Sequence, residues 1–258
     1  MLTLGIEASG RSAGAALLRD GKLLSEYSLN VGLTHSETLL PLIEALLKAS
    51  GVSLSDLDLI AVSAGPGSFT GLRIGAATAK GLALPGGIPL LPVSTLEGLM
   101  QNVSEFPGYV HPILDARRSQ VYTASYLHGE KVLPEEAVSI ESLLKKIRSF
   151  PGKQLFLGDG VFPYRELLSE CLGQKLVLAS PANLLQRASS IAILGERNFS
   201  LAQSAEKFRL HYVRKPQAER EREKGLRDYD LLGEKRGEET KDRLLPRNYP
   251  IDSGGYEN

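Results

Sequence analysis

The fold class of this chain follows mainly from residues 59–84. The continuous apolar run Leu59-Ile60-Ala61-Val62-Ser63 predicts a buried strand, and Gly65-Pro66-Gly67 ends it. A helical pattern follows over residues 69–84. A strand, a glycine-rich turn and a helix in succession are typical of α/β proteins. We therefore predict an α/β fold with mixed sheets and flanking helices.

Three strand patterns precede this unit and predict an antiparallel meander. They run from Leu2 to Ile6, from Ala13 to Leu18 and from Leu23 to Tyr27. Asp20-Gly21 lies between the second and the third. Asp-Gly between apolar segments is a strong signal for a two-residue hairpin turn, because both central positions tolerate positive φ.

A helix is predicted after the meander. Thr34-His35-Ser36-Glu37 has the spacing of a capping box, in which the glutamate side chain reaches back to the Thr34 amide. The apolar pattern that follows ends at Gly51, which suits a left-handed cap. Pro41 predicts a kink unless the first helical turn begins later.

The second half of the chain repeats this order more loosely. We expect a hairpin between residues 109 and 127, a helix over residues 142–149 and a strand over residues 155–157. Ser180-Pro181 combines an N-cap residue with proline at the first helical position, which predicts a helix that runs to about Asn198. We infer two related lobes, residues 1–104 and residues 105–218.

Residues 219–258 have a different composition. Eight basic and nine acidic residues occur within residues 219–243, and Tyr229 is the only aromatic residue there. Such a segment buries too little apolar surface to offset the entropy lost on ordering. We predict a disordered or loosely helical extension over residues 219–258.

Composition excludes several classes of protein. The 258 residues contain 30 Lys+Arg and 30 Asp+Glu, so the net charge of zero disfavours a stand-alone nucleic-acid-binding module. Cys171 is the only cysteine, which fits a reducing compartment. The start of the chain lacks the pattern of a signal peptide, and no run of eighteen apolar residues occurs. We expect a cytoplasmic protein with no membrane contact.

Two loops have residues suited to anion binding. Gly65-Pro66-Gly67-Ser68 leads into a helix N-terminus, where free N–H groups and the positive dipole end hold anions. The loop lacks the Gly-Lys-Ser/Thr of a P-loop, so a structural strand-to-helix turn explains it as well. Glu7-Ala8-Ser9-Gly10 connects two predicted strands, and Asp115 lies in the corresponding turn of the second half.

No catalytic or metal site is predicted. A helical metal site needs a second ligand one turn after His35, and Leu39 stands there. His111, His128 and His211 have no helical partner at ligand spacing either. The serines and Cys171 have no recognisable base in motif form, and we expect no cofactor.

The two predicted helices carry features of an interface. The apolar arc of the first is wider than a surface helix needs to face its own core. On the second, Gly71, Gly75 and Ala79 recur every four residues and form a smooth ridge that lets another helix approach. Packing within the chain's own fold and contact with a partner both explain these features.

One motif carries a specific family resemblance. Gly65-Pro66-Gly67-Ser68-Phe69-Thr70-Gly71-Leu72-Arg73-Ile74-Gly75 resembles the TsaB (also called YeaZ) family of bacterial tRNA threonylcarbamoyladenosine biosynthesis proteins, in the actin-like ATPase superfamily. The resemblance covers about residues 1–219. Three further segments agree with it: His35-Ser36-Glu37 with Leu39-Leu40-Pro41, the hairpin Asp115-Ala116-Arg117-Arg118-Ser119-Gln120-Val121-Tyr122, and Tyr212-Val213-Arg214-Lys215-Pro216.

The resemblance implies two actin-like (ribonuclease-H-like) lobes and a non-catalytic subunit. The related catalytic subunit, TsaD, binds a metal through two helical histidines, of which only the first is retained here, as His35. The implied role is scaffold and activator of TsaD during threonylcarbamoyl transfer to the adenosine beside the anticodon of tRNAs that read codons beginning with A. The resemblance further implies that TsaE joins the complete complex, that tRNA is contacted only through the complex, and that a homodimer can form without TsaD.

The resemblance also implies which residues contact TsaD. Family members pair through two N-terminal helices, which correspond here to about residues 36–49 and 69–84. The predicted interface residues are Leu39, Leu40, Leu42, Ile43, Leu46, Leu47, Phe69, Gly71, Leu72, Gly75, Ala76 and Ala79.

The loops retain a trace of the nucleotide site of actin-like folds. The predicted vestigial nucleotide loop comprises Glu7, Ser9, Gly65, Gly67 and Ser68. The family usually has Asp-Thr-Ser where this chain has Glu7-Ala8-Ser9. The alternative hypothesis is a nucleotide- or metal-dependent transferase, or a glycoprotease-like enzyme, active in its own right.

Overall fold

Two mixed β-sheets of five strands each form the centre of the computed structural model, which describes residues 1–213. The first sheet has the order β3-β2-β1-β4-β5, and the second has the order β10-β9-β6-β7-β8. The strands of the first sheet are β1 (Leu2–Glu7), β2 (Ala13–Arg19), β3 (Lys22–Leu29), β4 (Leu59–Gly65) and β5 (Leu90–Ser94). Those of the second are β6 (Tyr109–Asp115), β7 (Gln120–Leu127), β8 (Glu130–Ser139), β9 (Gln154–Leu157) and β10 (Leu176–Leu178).

The two sheets have the same topology. In each, the first three strands in sequence form an antiparallel meander, the fourth pairs in parallel with the first, and the fifth pairs in parallel with the fourth. Each sheet thus repeats the strand order of an actin-like, ribonuclease-H-like lobe. The α/β fold with two mixed sheets and flanking helices is confirmed.

Six α-helices accompany the sheets within the described residues. They are α1 (His35–Ser50), α2 (Phe69–Ala83), α3 (Thr95–Gln101), α4 (Ile140–Ile147), α5 (Val161–Leu172) and α6 (Ala188–Arg197). Helix α1 packs on β2, β3 and α2, and α2 packs on β1, β4 and β5. Helix α6 packs on the opposite face of the first sheet, where a Cβ on Gly5 would lie 2.3 Å from the Ala188 carbonyl oxygen.

Local signals placed the first helix correctly. The Glu37 carboxylate accepts the Thr34 N–H at 3.2 Å and completes the capping box. Gly51 takes the left-handed conformation with φ 62° and ends α1. Pro41 lies inside α1, so the helix continues past it with one backbone hydrogen bond fewer.

The predicted helix start at Ser180-Pro181 is wrong. Helix α6 begins at Ala188, and the preceding residues form turns. The Asn102 side chain on the opposite segment donates to the Asn183 carbonyl at 3.0 Å and to the Leu185 carbonyl at 2.7 Å. These bonds hold the backbone of residues 183–185 in an irregular path. Strands β5, β8 and β10 and helices α3 and α5 lay outside the predicted elements.

The predicted division of the chain remains a prediction. Residues 1–213 belong to one compact unit, Met1–Arg214, and α6 follows β10 of the second sheet in sequence but packs on the first sheet. The predicted extension, residues 219–258, lies outside the described residues, as do the last residues of the predicted C-terminal lobe.

Candidate functional site

The loop after β1 and the glycine loop after β4 meet at the N-terminal end of α2. The Ser68 N–H donates to the Ser9 carbonyl at 2.7 Å. A Cβ on Gly67 would lie 2.3 Å from the Ser9 carbonyl oxygen, and a Cβ on Gly71 would lie 2.1 Å from that of Ala8. The two backbones therefore touch only because both positions are glycine.

Protein groups bind two of the amides at this loop. Besides the Ser68 N–H, the Gly71 N–H is taken by the Ser68 hydroxyl at 3.3 Å, which caps α2. The segment around His211 covers the other side of the loop, since its N–H donates to the Ala64 carbonyl at 2.8 Å. A Cβ on Gly65 would meet the His211 carbonyl oxygen at 2.3 Å. Two amides of the loop are thus bound within the chain, and its nucleotide role stays a prediction.

Glu7 lies beneath this junction with 1% of its surface exposed. Its Oε1 accepts both the backbone N–H and the hydroxyl of Ser9. Its Oε2 has no hydrogen-bond partner among the described residues. Burial raises the pKa of Glu7 to about 7, and the hydrogen bonds from Ser9 oppose this rise. The carboxyl group therefore changes charge near neutral pH.

His35 serves the same junction. Its Nε2 lies 2.9 Å from the Gly10 carbonyl oxygen, so this nitrogen carries the proton and donates. Leu39, one turn later, is fully buried in the core. Residues 1–213 contain no group of three His, Cys, Asp or Glu side chains placed to hold a metal ion. His111 is buried against Ser125, and burial lowers its pKa to about 3.

Asp115 occupies the position in the second sheet that Glu7 has in the first, since each ends the first strand of its sheet. Its carboxylate accepts the Arg117 N–H at 2.8 Å, and its own N–H donates to Asp159 Oδ1 at 3.1 Å. Burial raises the pKa of Asp159, and the nearby charge of Asp115 raises it further. The hydrogen bond from the Asp115 N–H opposes this rise. The structural equivalence that the sequence predicted for Asp115 is therefore present.

The predicted interface residues lie mostly inside the chain's own core. Leu40 is exposed over 52% of its surface, and Leu47 and Phe69 are half-buried. The other nine are buried: Leu39, Leu42, Ile43, Leu46, Gly71, Leu72, Gly75, Ala76 and Ala79. The wide apolar arc of α1 is thus covered by β2, β3 and α2.

The glycine ridge of α2 likewise faces the chain itself. A Cβ on Gly75 would lie 3.2 Å from the Ala8 Cβ, and Gly71 contacts the same loop. The ridge accommodates the loop between β1 and β2. The sequence pattern had indicated that another helix could approach there. Contact of these twelve residues with a partner stays a prediction.

Two contributors to the junction were missed from sequence. The Gln186 side chain packs against Gly10. A Cβ on Gly10 would lie 2.4 Å from Gln186 Nε2. The Tyr212 ring lies 5.2 Å from that of Phe69 and anchors the end of the described chain on α2. Gln186 has no local sequence signal, because only the tertiary fold brings it to residue 10. Tyr212 lay in a family segment but had no predicted role.

No helix among residues 1–213 is both long and apolar enough to cross a membrane.

The chain has clear relatives. Residues 30–221 match the family model described as TsaD: tRNA N6-adenosine threonylcarbamoyltransferase. The tRNA threonylcarbamoyladenosine biosynthesis protein TsaB of Bacillus subtilis (strain 168) is 36% identical over 200 residues, which are 76% of this chain and 87% of the relative.

Two solved structures from Pseudomonas aeruginosa have a similar fold. One is described as an uncharacterized protein with similarity to peptidase YeaZ; it has a TM-score of 0.70 and 29% identity, and covers 83% of this chain and 99% of its own. The other is YeaZ, with a TM-score of 0.65 and 26% identity, covering 82% and 99%. Together with the glycine motif and the paired sheets, these similarities show that the chain belongs to the TsaB (YeaZ) family of tRNA threonylcarbamoyladenosine biosynthesis proteins.

Proposed function

We propose that this chain is the accessory subunit of a TsaD threonylcarbamoyltransferase. It acts in threonylcarbamoyl transfer to the adenosine beside the anticodon of tRNAs that read codons beginning with A. Family membership carries this proposal: the Bacillus subtilis relative is named for tRNA threonylcarbamoyladenosine biosynthesis, and the matching family model is that of the transferase. The transfer chemistry takes place in TsaD, and this chain supports it by binding.

The surroundings of His35 support a non-catalytic role. The ring nitrogen that a metal would use donates to the Gly10 carbonyl, and the position one turn later is a buried leucine, Leu39. Glu7, the buried acid nearest this junction, is bound by Ser9 and shielded from solvent. These side chains stabilise the junction between the loop after β1 and α2.

The pairing surface lies on the outer faces of α1 and α2. The two helices contact each other. Leu40 and Pro41 are exposed on α1, and Arg73 and Ala77 are exposed on α2. Leu40 is a large apolar side chain that gains from burial by a partner. The buried residues of the predicted interface act indirectly, by fixing the shape of this surface.

The remaining partners follow from the same role. TsaE joins the complete complex, and tRNA reaches this chain only as part of that complex, in agreement with the net charge of zero. In the absence of TsaD, the same faces of α1 and α2 support a homodimer. The complex works in the cytoplasm.

Replacing Leu40 tests the pairing surface. We expect Leu40→Asp to weaken binding to TsaD by roughly a hundredfold, because it places a charge in an apolar contact. The thermal midpoint of the free chain should stay within about 2 °C, since Leu40 contributes little to the core. Light scattering after size-exclusion chromatography, and calorimetric titration with TsaD, measure the two effects.

Leu201→Asp is the matched control, because Leu201 is 68% exposed and lies away from α1 and α2 in sequence and fold. It should leave TsaD binding unchanged. Reconstitution of the tRNA modification should give product only when both TsaD and this chain are present. Modification by this chain alone, or wild-type affinity of Leu40→Asp for TsaD, contradicts the proposal.

A further inference from the structure

A cavity of about 420 Å³ lies between α3, the β7–β8 hairpin and the C-terminal end of α6. It shares no lining residue with the glycine loop, α1 or α2. Met100 and Leu194 give it an apolar wall, and both are largely buried. Its volume is near the lower end of the range for small-molecule sites. A molecule of amino-acid size fits there, and a nucleic acid or a peptide helix does not.

The Tyr126 ring forms part of the cavity wall. The side chain is 2% exposed, and its hydroxyl has no hydrogen-bond partner among the described residues. Burial raises the pKa of Tyr126, so the phenol stays protonated and able to donate. A buried hydroxyl without a partner costs roughly 1–3 kcal/mol. The hydroxyl oxygen itself is enclosed, so a molecule in the cavity contacts the ring of Tyr126 and not its oxygen.

The charges in the cavity lie at two ends. At one end Lys131 Nζ lies 3.0 Å from both Glu97 Oε1 and Glu135 Oε1, so two carboxylates surround one ammonium and leave a net negative charge. At the other end Arg197 donates to Gln101 Oε1 at 2.7 Å. No carboxylate in residues 1–213 forms an ion pair with Arg197, so this end is positive.

Helix geometry sets the distance between the two ends. Glu97 and Gln101 are four residues apart on α3, which is a rise of about 6 Å. One small molecule can span this distance. Its carboxylate then binds Arg197 beside Gln101, and its ammonium group is directed to Glu97. A guanidinium group matches the planar geometry of a carboxylate.

We propose that this cavity binds a small zwitterion, an α-amino acid with a compact apolar side chain. Arg197 takes its carboxylate beside Gln101, Glu97 takes its ammonium group, and Met100 and Leu194 contact its side chain. The proposal concerns a surface separate from the TsaD-pairing face. Binding is measured on the free full-length chain, so it does not depend on the proposed function.

L-valine, isovalerate and isobutylamine are the probes, because the second lacks only the ammonium group of valine and the third lacks only its carboxylate. Chemical shifts of the isotope-labelled full chain are followed at Gly129, which lines the cavity, at up to about 20 mM ligand. We expect a saturable shift with L-valine and affinities about tenfold lower for both analogues.

Two variants connect the binding to the named groups. Arg197→Gln and Glu97→Gln should each weaken L-valine binding about tenfold. Arg148→Gln, an exposed arginine outside the cavity, is the matched control and should bind as the wild type does. The proposal is overturned if L-valine gives no saturable shift, if isovalerate or isobutylamine binds as tightly, or if Arg197→Gln leaves the affinity unchanged.

Discussion

Glu7 is a carboxyl group that the fold holds in its protonated form up to about neutral pH. Its pKa is about 7 in the folded chain because of burial, against an ordinary value of 4.5. A raised carboxyl pKa means that the folded state binds the proton more tightly than the unfolded state does. The contribution to stability is therefore complete below pH 4.5 and is lost as the pH rises through 7.

Glu7→Gln tests this titration. The amide cannot ionise, so the variant should unfold at nearly the same temperature as the wild type at pH 4.5. At pH 8 it should be more stable by up to about 3 kcal/mol, the free energy equivalent of the shift in pKa. Calorimetry between pH 4.5 and 8 measures the difference, and Glu166→Gln on the exposed face of α5 is the control. A constant difference between Glu7→Gln and wild type across this range would contradict the assignment.

Helix α2 shows what glycine does at the scale of an element. Gly71 and Gly81 are on the same helix, but a Cβ on Gly71 would lie 2.1 Å from the Ala8 carbonyl oxygen, whereas nothing lies within 4 Å of one on Gly81. Gly81→Ala should stabilise the chain by about 0.5–1 kcal/mol through helix propensity. Gly71→Ala should destabilise it by roughly 1–3 kcal/mol, because the loop after β1 must move.

Chemical denaturation of the two variants measures this pair. Equal effects of the same sign would show that the loop after β1 does not press on α2 in solution. The result also bears on the role of the glycine ridge. A bulky residue at Gly75 would press on the Ala8 Cβ, so its first effect should be a loss of stability in the chain itself.

Elements with local signals were predictable, and those set by distant contacts were not. Asp20-Gly21 and Gly51 adopt positive φ, which their residue types favour, so the hairpin and the end of α1 were found. Strand β8 contains Pro134 and is mostly half-exposed at a sheet edge, and its pairing with β7 makes it a strand. The loops at Glu7 and Gly65 were recognised, but their mutual contact depends on backbone proximity that no local pattern encodes.

The family resemblance located the paired helices but not the surface they expose. A wide apolar arc is the same pattern whether a partner or the chain's own sheet covers it. Sequence could not distinguish these cases, because coverage by β2 and β3 follows from the tertiary arrangement of the meander. Leu40 is exposed and Leu39 is buried, although both belong to the same apolar run. The apolar pattern therefore locates the helices, and the exposed fraction of each side chain shows which face a partner can reach.

At the scale of the whole molecule, α6 and α3 connect the two sheets. Ile191 and Leu194 of α6 pack with Leu59 and Leu91 of the first sheet. The Ile191 Cδ1 atom lies 2.8 Å from the position of a Cβ on Gly98 in α3, and α3 also packs on β6 and β7 of the second sheet. Because α3 and α6 contact each other, they link the first sheet to the second.

Ile191→Ala tests whether the two sheets unfold together. Ile191 is 1% exposed, and its truncation should cost about 2–5 kcal/mol. Native-state hydrogen exchange should show this loss equally in peptides from β4 and from β9, because one cooperative opening exposes both. Leu143→Ala, from the core of the second sheet, should lower protection in the same two strands. A loss confined to β4 in the first variant and to β9 in the second would instead show two lobes that unfold independently, as the division at residues 104 and 105 predicts.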